Sequence, residues 1–176
     1  MTDEKFINKN RSQLTDDQYD QFNRDGFVSV SSPFSKSQLT KLVNAERECY
    51  EKFPYGQLEN GEKRVSKEQV RQDDYNVRDA HRQGSIFTEV ITHPLILNTA
   101  ERVLGKDFFI TSFGIRKIPA NTHNILEAHR DQCGTFSVRM LLNNHDFNQG
   151  GTLMYPRTHL NFPPPHLSIK DLSRFD

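Results

Sequence analysis

Cysteine is scarce in this sequence, two in 176 residues. Cys49 and Cys133 cannot staple a fold, which excludes the disulfide framework of small secreted domains and predicts two free thiols. A surplus of charge is also lacking. The 23 basic and 23 acidic side chains sum to a formal net charge of zero, so no global field draws the chain to nucleic acid or to an anionic membrane. No apolar run approaches the roughly 20 residues that span a bilayer. The opening Met1-Thr-Asp-Glu-Lys-Phe-Ile-Asn-Lys-Asn10 lacks the apolar centre and cleavage site of a signal peptide. There is no internal repeat, and the one biased segment, Pro163-Pro-Pro165, is only a stiff connector. These absences predict a cytoplasmic chain, one domain over residues 1–176, with no nucleic-acid and no membrane partner.

What is present begins with helix punctuation. Thr15 and Gln18 have the spacing of a capping box, and Tyr19, Phe22 and a closing Gly26 predict a short amphipathic helix. Phe27-Val-Ser-Val30 predicts a strand. A second box, Ser35 to Gln38, opens a longer helix through Leu39, Leu42, Val43 and Ala45 to near Phe53. From Pro54 to Gly84 the sequence is polar and without period, which predicts a long surface loop or lid. Within it, the mixed charges of Glu62 to Arg71 form a solvated face, and Asp73-Asp74 is a loop tip more than a carboxylate pair. His93-Pro94 opens a helix that carries Leu95, Ile96, Ala100, Val103 and Leu104 and closes at Gly105, with His93 as a cap more than a ligand.

The period then changes. Phe108 to Ile118, Thr135 to Asn143 and Gly151 to Tyr155 are short, alternating or β-rich segments parted by turn-rich loops. Helices in front and strands behind predict an α+β domain in which helices cover a β-sheet or sandwich.

The stretch Glu127-Ala-His-Arg-Asp-Gln-Cys-Gly134 carries the chemistry. On an extended backbone residues i and i+2 project to one face, so His129 and Asp131 point into one space. Imidazole and carboxylate are two of the three donors in the facial triad of non-haem iron(II) oxygenases. The bare spacing has little weight, because a shuffled chain of this composition holds about half a match. Its bland counterpart is a hydrogen-bonded structural pair. Cys133, two residues on, is a third candidate donor or redox thiol beside its simpler reading as a buried thiol.

Context adds weight. Gln21-Phe-Asn-Arg-Asp-Gly-Phe-Val-Ser-Val30, Phe34 to Leu39, His93-Pro-Leu-Ile-Leu97, Leu104-Gly105, Phe113-Gly-Ile-Arg-Lys-Ile-Pro119, His129-Arg-Asp131 and Gln149-Gly-Gly-Thr-Leu-Met-Tyr-Pro-Arg-Thr-His159 follow one another in an order that resembles the phytanoyl-CoA dioxygenase family. The resemblance covers nearly the whole chain. It implies a cupin-like double-stranded β-helix, or jelly roll, with covering helices at the N-terminal side. It also implies hydroxylation of a small-molecule substrate with iron(II) and 2-oxoglutarate as cofactors. It makes His129 and Asp131 metal ligands and Lys117 a contact to a carboxylate of 2-oxoglutarate, beside the simpler reading of Lys117 as a solvated strand lysine. Gln132 is either a hydrogen-bond donor to that site or an ordinary loop residue.

The sequence departs from this family in its last part. The family's third ligand and its 2-oxoglutarate-binding arginine follow the segment that ends here at His159. Leu160 to Asp176 offer His166, Lys170 and Arg174, with Pro163-Pro-Pro165 barring ladder pairing just before them, and Arg157 stands where the family has glycine. A jelly roll needs about eight strands, and at most about five are legible, so open sheet edges predict a complementary chain or self-association. Three readings follow: the front part of a longer oxygenase, a compact variant in which His159 or His166 is the third donor, or a catalytically inactive binding or regulatory module.

Overall fold

The structure is a computed structural model and describes residues 12–58, 60–67, 70, 75–118, 129, 131, 134–143 and 151–160. Along the chain its regular elements are α1 (Asp16–Asp25), α2 (Lys36–Lys52), β1 (Tyr75–Arg78), a 3-10 turn Ala80–Arg82, α3 (Ser85–Ile91), α4 (Pro94–Leu104), β2 (Gly114–Lys117) and a 3-10 turn Thr158–Leu160. Helices and an antiparallel sheet together make the fold α+β, in agreement with the sequence.

The helix ends are set where the local chemistry predicts. Thr15 is extended, its hydroxyl accepts the Gln18 N–H at 3.2 Å, and the Gln18 side chain accepts the Thr15 N–H at 3.1 Å. The same reciprocal box, Ser35 with Gln38, opens α2. Each box satisfies two N–H groups that the first turn leaves without partners. α1 closes on Gly26 at φ +85°, whose N–H reaches Phe22 O at 2.8 Å. α4 starts on Pro94, and Gly105 follows it at φ +90° with its N–H on Glu101 O at 2.9 Å.

The chain gathers into two compact units. One holds Phe34–His93 and Phe108–Ile125, hence α2, α3 and the sheet. There β1 and β2 run antiparallel, with Tyr75 opposite Lys117, Asn76 opposite Arg116, Val77 opposite Ile115 and Arg78 opposite Gly114. Its core is Phe34, Leu42, Cys49, Tyr50, Phe53, Val77, Ala80, Phe87 and Val90, with Val77 and Ala80 wholly buried. The Tyr50 hydroxyl, on α2, reaches the carbonyl oxygens of Tyr75 at 2.7 Å and Ile115 at 3.2 Å. The second unit contains Met1–Pro33, Pro94–Asp107 and Leu126–Asp176, and so α1 and α4. Its described residues bury little: Leu14, Thr99 and Ala100. Tyr19 links its helices, with the Arg102 guanidinium 3.6 Å from the ring centroid, a geometry that favours cation–π attraction.

Two expectations require correction, the loop and the strands. The polar stretch from Pro54 to Gly84 is no simple surface loop: it supplies β1, the wholly buried Val77 and Ala80, and buried Gln57 and Arg64. Gln57 is buried because its side chain acts as backbone would, accepting the Arg78 N–H at 2.8 Å and donating to Gly61 O. α3 follows directly, a helix without a side-chain cap on Gly84, held by burial of Phe87 and Val90. Residues 27–30, 135–143 and 151–155 form no strand, and of 108–118 only β2 does. β propensity alone does not make a strand; a ladder partner does. Among the described residues the one sheet has two strands. Val138, Leu141, Leu153 and Met154 lie exposed, Leu141 by 60%. No helix of the described residues is long and apolar enough to cross a membrane.

Candidate metal centre

His129 and Asp131 lie in the unit that holds α1 and α4. Neither carries a strand assignment, and both are exposed. Even so, their functional atoms converge: His129 Nε2 is 3.9 Å from Asp131 Oδ1. Metal–nitrogen and metal–oxygen bonds of about 2.1 Å put two donors at a right angle about 3.0 Å apart, so the pair is about 0.9 Å wider than a loaded site needs. The two side chains are 37% and 55% exposed. The other carboxylate oxygen is already engaged, because Ser137 Oγ donates to Asp131 Oδ2 at 3.1 Å.

Local packing explains why Ser137 is there. Phe136 meets the Phe22 ring of α1 edge-on, with centroids 5.9 Å apart. In the same segment Phe136, Met140 and Leu142 are half-buried, while Ser137 and Arg139 are exposed. Arg139 Nη1 donates to Thr152 Oγ1 at 2.9 Å, tying this segment to 151–160. That second segment is fastened to the end of α1 by the Arg157 N–H on Asp25 O at 2.9 Å and by His159 Nε2, 3.0 Å from Asn23 O. A carbonyl only accepts, so Nε2 carries the proton there. The Arg24 hydrogen bond to Asp25, aided by the charges of Arg24, Arg157 and His159 against some desolvation, holds the Asp25 carboxyl below its usual range.

The chain matches no family model, no curated protein and no solved structure.

The other sequence candidates fall as follows. Lys117 ends β2 in the other compact unit, exposed, with its ammonium 5.3 Å from the centroid of the Tyr50 ring. His159 is hydrogen-bonded to the end of α1, which accounts for its ring without a metal. His93 packs edge-on against Phe34, 4.8 Å between centroids, and its backbone N–H meets Val90 O. Cys49 is a free, buried thiol, pushed up from its ordinary pKa by desolvation. Asp73, Asp74, Gln132, Cys133, His166, Lys170 and Arg174 lie outside the described residues.

Among the described residues no group of three or more His, Cys, Asp or Glu side chains is placed to hold a metal ion. The pair nevertheless fits iron(II) in its donor chemistry: one neutral imidazole nitrogen and one carboxylate oxygen, close together and accessible. Ser137 is the residue that sequence reasoning missed. Nothing in a hydroxyl six positions beyond Asp131 signals that it will fold back onto the carboxylate.

Proposed function

We propose that this chain carries part of an iron(II)/2-oxoglutarate oxygenase site of the phytanoyl-CoA dioxygenase type, acting on a small-molecule substrate. The observation that supports it is the 3.9 Å approach of His129 Nε2 to Asp131 Oδ1, two donors of the required kinds. On this reading the fold is a jelly roll with covering helices, and His129 and Asp131 hold the metal. Bound iron(II) with 2-oxoglutarate and O2 supplies the oxidising chemistry, substrate hydroxylation coupled to decarboxylation of the oxo acid. The chain's own task is to hold an imidazole nitrogen and a carboxylate oxygen side by side. The exposed Val138, Leu141, Leu153 and Met154 support a complementary chain or a second copy as cover.

A second reading, a catalytically inactive binding or regulatory module, is favoured by the lack of a third donor around the pair among the described residues. Anaerobic titration of the full chain with iron(II) and 2-oxoglutarate separates the two. The oxygenase reading expects the weak visible absorption of an iron–oxo-acid chelate, abolished in His129→Ala. Identical, featureless spectra from wild type and variant would refute it.

A further inference from the structure

We infer that Ser137 is a positioning residue for the metal pair: by donating to Oδ2 it presents Asp131 to a divalent first-row cation through Oδ1 alone. The inference rests on the reading of His129 and Asp131 as metal donors.

A carboxylate binds a metal through one oxygen or both, and the choice decides how many coordination positions it occupies. In this structure the two oxygens of Asp131 are already distinguished. Oδ1 faces the imidazole, 3.9 Å from Nε2, whereas Oδ2 accepts the Ser137 hydroxyl at 3.1 Å. With one lone pair of Oδ2 taken by the hydroxyl, chelation through both oxygens competes with that bond, so the one-oxygen mode is favoured and one more position would stay open for exogenous ligands. Hydrogen bonds to a ligating carboxylate orient it in this way and tune its affinity.

The segment that carries the hydroxyl is in turn anchored by groups other than Asp131. On one side Phe136 is docked on Phe22, and on the other Arg139 is bonded to Thr152. The backbone that brings Ser137 to Asp131 is therefore held independently of that bond. The bond joins two exposed side chains, so it contributes little to folding; its effect falls on the orientation of the carboxylate.

The test is anaerobic iron(II) titration of wild type, Ser137→Ala, Ser137→Thr and Asp131→Ala, read by the iron–oxo-acid absorption and by equilibrium iron content, with metal-free thermal melting of each protein. Ser137→Ala should raise the iron concentration at half-saturation by about 10–100-fold. Ser137→Thr, which keeps the hydroxyl, should restore it, and the metal-free melting midpoint should not move. If Asp131→Ala abolishes binding but Ser137→Ala titrates like wild type, this inference falls while the metal reading stands. A Ser137→Ala midpoint lowered without metal would make the role structural and overturn it. No iron binding by wild type would overturn both.

Discussion

Gly26 and Gly105 are a matched pair for measuring what the His159 contact is worth. Both follow a helix and both are left-handed, at φ +85° and +90°. Nothing lies within 4 Å of a Cβ built on Gly105, whereas one on Gly26 would stand 2.8 Å from Cγ and 3.1 Å from Cε1 of His159. Forcing an L-residue into this backbone costs about 1–2 kcal/mol. At Gly26 the ring must also withdraw from Asn23 O, with loss of a hydrogen bond worth about 0.5–1.5 kcal/mol. Gly26→Ala should therefore destabilise by about 1.5–3.5 kcal/mol and Gly105→Ala by only about 1–2 kcal/mol. In a His159→Ala background the Gly26→Ala cost should drop to the Gly105 level, which makes the double-mutant coupling the measured quantity. Urea unfolding followed by circular dichroism reads all of these. If Gly26→Ala costs the same with and without the imidazole, the ring does not rest on the end of α1 in solution and the reasoning fails.

Two other perturbations follow from the core. Phe87 is 2% exposed, so Phe87→Ala should lower stability by about 3–5 kcal/mol, read as a fall in the urea midpoint; a loss below about 1 kcal/mol would contradict its burial. Cys49, whose pKa burial raises above its ordinary value of 9.0, keeps its proton in the folded state where the unfolded chain would lose it. The sign follows: its contribution is fully present below pH 9.0 and is lost as pH rises through the folded value. Wild type should thus lose more stability than Cys49→Ala between about pH 8 and pH 10, and peptide-resolved alkylation should find Cys49 slow until the chain is unfolded.

Legibility in the sequence tracked the range of the interaction. The limits of α1, α2 and α4 were readable because Thr15 with Gln18, Ser35 with Gln38, Pro94, Gly26 and Gly105 act within a turn of the residues they affect. α3 was missed because Gly84 provides no side-chain cap, and its apolar signal is little more than Phe87 and Val90. β1 was missed because a four-residue strand set in polar sequence is defined by β2, its distant partner. Conversely, 27–30, 135–143 and 151–155 have strand-like composition but no partner strand among the described residues. At the candidate site the spacing of His129 and Asp131 was legible, since two residues apart is local geometry. Ser137 was not, and the bond of His159 to Asn23 was hidden for the same reason: each depends on where a separate stretch of chain comes to lie.

The phenol of Tyr50 touches one carbonyl from each strand, Tyr75 on β1 and Ile115 on β2. A ribbon of four residue pairs is marginal in isolation, and sliding one strand by a single residue, about 3.3 Å, would turn a side chain to the phenol in place of an oxygen. α2 therefore works as a gauge for strand alignment: the correct pairing is the one that its tyrosine can touch at both edges, so a feature the ribbon is too short to specify is copied from a helix laid down earlier in the chain.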